Sequence, residues 1–233
     1  MYKPKEIIYL VVASLVLGFF LSLNLTWPIL SFEPINFLAM SGLSLLMFVI
    51  FTFSQKAVAY SLDCNTEIKP LQFYRYWLED RFRLSWPFPI WLVLPIITFL
   101  ISSGKFIWSA IINFDIEPRR ARIRRKYGEL TEFDISKIAA AGSLGVLLFG
   151  VIMRIAGFIP YANLCILLGL LSLIPIGNGL KVFMGSRILW VFLFILTACV
   201  LLLINLQYWF AAILISSLVA VITVVVYYYF YER

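Results

Sequence analysis

Long apolar runs, separated by short polar segments, constrain this chain more than any other feature. A membrane-spanning helix needs about 20 predominantly apolar residues, and six runs reach or approach that length. They cover residues 7–27, 36–62, 136–158, 160–176, 188–206 and 209–231. Only 13% of the residues are charged, against about a quarter in a soluble domain. The sequence therefore predicts an all-α polytopic membrane protein with about six transmembrane helices.

The stretch 84–116 is apolar enough to cross a membrane, but its sequence does not suit a continuous helix. Pro95 and two earlier prolines interrupt its first half, and proline removes a helical hydrogen bond. Ser102-Ser-Gly-Lys105 is typical of a turn, and the following residues 106–114 suit an extended segment. We expect a membrane-dipping hairpin or short β-sheet, which must pack against helices because lipid cannot satisfy its backbone.

The distribution of charge predicts the orientation. An even number of spans places both termini on one side, and the loops on the opposite side, 28–35, about 159 and 206–208, contain no Lys or Arg. Because cytoplasmic loops carry the excess of Lys and Arg, we predict that both termini and the basic loops are cytoplasmic. One basic cluster is expected to face anionic lipid headgroups; it comprises Arg119, Arg120, Arg122, Arg124, Arg125 and Lys126.

Composition also argues against several classes of function. The net charge of +7 is accounted for by orientation, so we expect no nucleic-acid partner. The chain has no histidine, which removes the commonest general base and the commonest neutral metal ligand. Cys64, Cys165 and Cys199 are too widely spaced for a disulfide framework or a metal motif. Lys56 and Arg154, two of the charged side chains inside the runs, are expected to extend to the membrane interface.

Three segments, in chain order, carry a resemblance to a known family. They are Phe51-Thr-Phe-Ser-Gln55-Lys-Ala-Val-Ala59, Ala139-Ala-Ala-Gly142-Ser-Leu-Gly-Val146 and Leu173-Ile-Pro175-Ile-Gly-Asn-Gly179-Leu-Lys-Val-Phe183. Together with the stretch 84–116, they resemble the site-2 protease family of intramembrane zinc metalloproteases over roughly residues 36–205. The resemblance implies a protease-like helical core with a membrane-embedded sheet between the first two segments.

The resemblance also implies that the catalytic residues have been replaced. Phe51 and Gln55 stand where the family has the two zinc-binding histidines of His-Glu-x-x-His, and Thr52 stands where it has glutamate. In the third segment the Leu-Asp that supplies the last ligand is missing between Asn178 and Gly179. Two further departures are serines: Ser143 replaces a proline of the second motif, and Ser172 replaces the asparagine that precedes Leu-Ile-Pro.

These replacements predict a protein without metal, cofactor or catalytic residue. Zinc catalysis needs about three protein ligands and an open position for water, and phenylalanine offers no lone pair. A threonine hydroxyl cannot accept a proton at neutral pH as a carboxylate does. Six positions would line the former active site, either as a groove for a transmembrane helix or extended peptide, or as packed core. They are Phe51, Thr52, Gln55, Gly142, Ser143 and Asn178.

We therefore expect a catalytically inactive membrane protein that binds or scaffolds other membrane proteins. An active hydrolase is an alternative, with Lys56 as base and Ser41, Ser54, Thr52 or a cysteine as nucleophile. Ser54 and Lys56 are two residues apart, however, and do not face each other on a helix. A transporter or channel is the other alternative, although the runs contain no Asp or Glu. We divide the chain into residues 1–35, 36–187 and 188–233: a first span, a protease-like core and two C-terminal spans.

Overall fold

The computed structural model describes residues 2–25, 33–75, 83–104, 106–108, 111–118, 130–205 and 209–232. This part of the chain contains eight α-helices, four short strands and a final π-helical turn, Tyr228–Glu232. The helices are α1 Pro4–Leu25, α2 Pro34–Ser61, α3 Ile90–Ile101, α4 Glu132–Ile155, α5 Ile159–Ser172, α6 Asn178–Gly185, α7 Arg187–Leu203 and α8 Trp209–Tyr227. The strands are β1 Cys64–Pro70, β2 Phe73–Arg75, β3 Arg83–Phe88 and β4 Ile112–Pro118.

Four helical segments in the described residues are long and apolar enough to cross a membrane. They lie in α1, α2, α4 and the C-terminal segment Phe210–Phe230. The two other predicted runs correspond to α5 and α7, which have 14 and 17 residues. The prediction of a mostly helical, multi-pass membrane protein is confirmed in this coarser form.

The stretch 84–116 differs from the expected hairpin in two ways. Its strands do not pair with each other: β3 pairs antiparallel with β2, and β4 pairs with β1, so each strand has a partner outside the stretch. Between them lies the helix α3, where the sequence predicted interruption by proline. The turn predicted at Ser102-Ser-Gly is confirmed, with φ of 52° at Ser103 and 77° at Gly104.

The Thr98 hydroxyl connects helix α3 to the chain that follows the turn. Its proton is shared between the carbonyls of Leu94 at 2.9 Å and Pro95 at 3.1 Å. The same Oγ1 accepts a hydrogen bond from the Trp108 backbone N–H at 3.0 Å, which ties the chain after the turn to α3.

The chain divides into two compact units, and the first contains Met1–Val49 and Glu67–Asp115. In this unit α1 packs against α3, where the rings of Phe20 and Phe99 lie 5.4 Å apart. The start of α1 is joined to β1 through a carboxylate that is only 1% exposed: Glu6 Oε1 accepts from the Ile68 N–H at 2.9 Å, and Oε2 accepts from the Lys3 N–H at 2.7 Å. A side chain thus satisfies two backbone donors.

The second unit contains Ile50–Thr66 and Ile116–Arg233. Helix α4 packs against α5 and α6, and α7 packs against α8. Thr131-Glu-Phe-Asp134 before an apolar run is typical of a helix start, and α4 does begin there, with Thr131 Oγ1 accepting from the Asp134 N–H at 3.2 Å. Pro175 predicts a break in the run 160–176, and α5 ends at Ser172, where a turn leads into the separate short helix α6.

Two charged side chains inside the predicted runs, Lys56 and Arg154, bind backbone carbonyls. Lys56 Nζ donates to the Thr66 carbonyl at 3.2 Å, and Arg154 Nε donates to the Ile204 carbonyl at 3.0 Å. Ile204 follows the last turn of α7, where unpaired carbonyls and the helix dipole attract a cation. That these groups reach a membrane interface stays a prediction. The basic cluster at 119–126 lies outside the described residues.

Replacing Glu6 with alanine tests the link between α1 and β1. The substitution leaves the buried Ile68 N–H without its acceptor, which should lower the free energy of unfolding by about 1–3 kcal/mol. Titration of the detergent-solubilised protein with SDS measures the loss. The matched control is Glu132→Ala, on the exposed first turn of α4, where a change within about 0.5 kcal/mol is expected. Equal losses of unfolding free energy in the two variants would contradict a structural link between Glu6 and β1.

Candidate functional site

The first segment of the resemblance lies in the C-terminal half of α2, and one of its faces is buried. Phe51 and Gln55 are one helical turn apart and therefore share a face. Phe51 is 4% exposed, Thr52 is 0% and Gln55 is 1%. Both Phe51 and Gln55 contact α4 at Gly142: a Cβ added to that glycine would lie 2.8 Å from the Phe51 ring and 2.9 Å from Gln55 Nε2. The structure thus brings the first and second segments together.

Two glycines on α4 allow this close approach. Gly142 faces Phe51 and Gln55, and Gly145, one turn later, faces Ser54. A side chain at either position would collide with α2, so the two backbones approach where no Cβ intervenes. Small residues at helix contacts are typical of membrane helices, because van der Waals packing there replaces the hydrophobic driving force. We call this contact the glycine seam; it consists of Gly142 and Gly145 on α4 and of Phe51, Ser54 and Gln55 on α2.

Beside the glycine seam, two serines connect α4 to α5. The hydroxyl oxygens of Ser143 and Ser172 are 2.7 Å apart, and both side chains are buried. Because the Ser172 hydroxyl also donates to the Gly169 carbonyl at 2.7 Å, the Ser143 hydroxyl is the donor of the pair. Ser172 was not among the predicted site residues. Both serines depart from the family pattern, and this shared departure could have indicated that they contact each other.

Asn178, the predicted residue of the third segment, begins α6 and is 4% exposed. It follows Gly177, whose φ of 66° is readily adopted only by glycine among the common residues. Helix α6 packs against α4, with Gly185 at its end contacting Glu132 and Ser136. All three segments therefore contribute to packing on α4 or belong to it.

The chemistry available at these positions is limited to hydroxyl and amide groups. Zinc sites in proteins use thiolate, imidazole and carboxylate ligands, and no cluster of three or more His, Cys, Asp or Glu side chains occurs in the described part of the chain. Gln55 Nε2 is buried and has no hydrogen-bond acceptor among the described residues. Leaving such a donor unpaired costs about 1–3 kcal/mol, so the amide is retained at a cost to stability.

The sequence left two interpretations of these positions, an open groove and a packed core. The side chains of Phe51, Thr52, Gln55, Ser143 and Asn178 are all 4% exposed or less. The Phe51 ring and the Gln55 amide occupy the space against Gly142. This packing favours the filled core.

Adding one methyl group at the glycine seam should therefore destabilise the protein. Gly142→Ala forces Phe51 or Gln55 to move, and overpacking of this kind costs about 1–3 kcal/mol. Gly42→Ala on α2 is the matched control: a Cβ there meets nothing within 4 Å, so the helix propensity of alanine should stabilise by up to about 1 kcal/mol. SDS titration compares the two, and combining Gly142→Ala with Phe51→Leu should recover part of the loss. Equal stability of both single variants would show that the helices are not in close contact.

Comparison of the chain with family models, with curated proteins and with solved structures finds no match. The resemblance to site-2 proteases therefore depends on the three short segments and their order, and its functional consequences are proposals.

Proposed function

We propose that the protein is a catalytically inactive, site-2-protease-like integral membrane protein that binds or scaffolds other membrane proteins. One observation carries the proposal. The positions where the resemblance places two zinc ligands and a general base hold Phe51, Gln55 and Thr52, and these side chains are packed in the interior. An aromatic ring, an amide and a hydroxyl cannot together hold a catalytic zinc ion or activate its water.

The proposal includes a topology of six crossings with both termini in the cytoplasm. Helix α3 has 12 residues, or about 18 Å, and does not cross a hydrocarbon core of about 30 Å. It is proposed to enter from the cytoplasmic side and return. Helix α5 is also short, and the turn after it completes that crossing. The Leu173 carbonyl in this turn accepts a hydrogen bond from Trp190 Nε1 at 2.6 Å, which provides the internal partner that apolar surroundings demand.

The alternative of a serine–lysine hydrolase receives little support from the contacts. Lys56 Nζ donates to the Thr66 carbonyl, whereas a base must lie within hydrogen-bond reach of its nucleophile. Ser54 packs against Gly145 of α4 in the glycine seam.

Metal content and proteolysis test the absence of catalysis. We expect the purified protein to contain substoichiometric zinc and to leave a model transmembrane substrate intact, because the replaced positions offer no ligand set. Elemental analysis and gel assays of the reconstituted protein measure both. Lys56→Ala should change neither result. Stoichiometric zinc, or cleavage that Lys56→Ala abolishes, would sink the proposal.

Site-specific photocrosslinking in native membranes tests the binding role. Phe53 on α2, Ile152 on α4 and Leu218 on α8 are 63%, 59% and 60% exposed and represent three outer surfaces. A photoreactive residue at each position should give a discrete protein adduct from one surface and none from the others, since a specific partner covers one face. Position 51 serves as the buried control and should give no adduct with another chain. Adducts absent from all three surfaces would contradict a scaffolding role.

A further inference from the structure

The first unit contains a cleft that the proposed function does not use. It lies between the first turns of α1 and the end of β1, and it has two adjoining compartments that share Tyr9, Ile68, Lys69, Pro70 and Gln72. One compartment has a volume of about 210 Å³ and the other about 240 Å³. We call the pair the α1–β1 cleft.

The inner compartment is apolar. Ala13, Ile111 and Ile112 form buried parts of its wall, and Trp91 contributes from α3. Ile8 and Val12, at its rim, are 60% and 40% exposed, so the compartment opens along the outer face of α1. Its volume is below the roughly 300–1,000 Å³ of sites that enclose a drug-sized molecule. The compartment is therefore suited to a section of an acyl chain.

The outer compartment is polar and contains a cation available to a ligand. Glu6 and Glu67 also line it, and Glu6 accepts from the two backbone donors of Lys3 and Ile68. Glu67 is paired with Lys3 at 3.0 Å and with Lys69 at 3.8 Å between the charged atoms. Lys69 binds Asp115 at 2.7 Å. Lys5 is exposed and makes no ion pair within the described residues, so its ammonium group is free to bind an anion at the mouth of the cleft.

The position of the cleft along α1 agrees with one apolar and one polar compartment. Helix α1 begins at Pro4, and its apolar run starts at residue 7, so its first turns are at the level of the membrane surface when the helix spans. Tyr9 and Trp91 in the wall are the residue types enriched at that level. Cytoplasmic surfaces also carry anionic lipids that attract lysine.

From these observations we propose that the α1–β1 cleft binds an acyl chain with an anionic headgroup, with the chain against Ala13 and Trp91 and the headgroup at Lys5. The ligand is either an anionic phospholipid of the surrounding leaflet or a free fatty acid, since both present this chemistry. The site is independent of the degenerate catalytic positions, which belong to the second unit.

Native mass spectrometry of the delipidated, detergent-solubilised protein tests the assignment. Phosphatidylglycerol, phosphatidylcholine and oleate are titrated separately. We expect phosphatidylglycerol or oleate to bind at one copy per chain and phosphatidylcholine to bind at least about fivefold more weakly, because it lacks the net charge that Lys5 recognises. A preference for phosphatidylglycerol identifies a membrane lipid, and a preference for oleate identifies a free acid; either supports the site. Equal binding of all three overturns it.

Two variants separate the compartments. Ala13→Phe fills the inner compartment and should weaken binding at least about tenfold, whereas Val11→Phe places a phenylalanine on the exposed face of α1 and should not.

For the outer compartment, Lys5→Glu should weaken anionic-ligand binding at least about fivefold. Lys137→Glu makes the same change of charge in the second unit and should leave binding unchanged. Lys5 is on the surface, so its variant remains informative if Ala13→Phe fails to fold. Wild-type affinity in Lys5→Glu would overturn the proposal.

Discussion

An unpaired amide or carbonyl in apolar surroundings has no water to bind, so each one must find a partner within the protein. Helices satisfy most of them, and the irregular regions of this chain depend on particular side chains. Glu6 accepts from the backbone at the start of α1 and in β1. Thr98 accepts from the Trp108 N–H after the turn that ends α3, and Trp190 binds the Leu173 carbonyl beyond α5. Arg154 donates to the Ile204 carbonyl at the end of α7. The short helices and strands of the structure are possible because these groups are present.

The helical part of this fold could be predicted from hydrophobic runs because length and apolarity are local properties. All six runs coincide with helices, and the start at Thr131 and the break near Pro175 followed from known capping and proline preferences. The strands β1 and β2 were missed, since their pairing with β4 and β3 depends on residues distant in sequence. Helix α3 was missed because the proline count does not show that two of the three prolines precede the helix and only Pro95 lies within it.

The candidate site was partly accessible from sequence. The resemblance predicted that the first and second segments line one site, and Phe51 and Gln55 do lie against Gly142. Whether these positions line a groove or form packed core could not be decided from the sequence, because helix amphipathicity is weak when both lipid and protein interior are apolar. The pairing of Ser143 with Ser172 was likewise hidden, as it joins residues 29 positions apart on different helices. Such contacts are set by interhelical packing, which periodicity does not encode.

The glycine seam limits which substitutions the chain can accept at positions 51 and 142. The ring at position 51 and the missing Cβ at position 142 fit each other, so neither residue is independent of its partner. Exchange of the ring for imidazole would supply one metal-ligating nitrogen beside an amide and hydroxyls, short of the roughly three protein ligands that a catalytic zinc ion needs. Building a metal site at these positions would therefore take several concerted replacements across α2, α4 and the turn before α6, because each residue of the glycine seam is fitted to its neighbour.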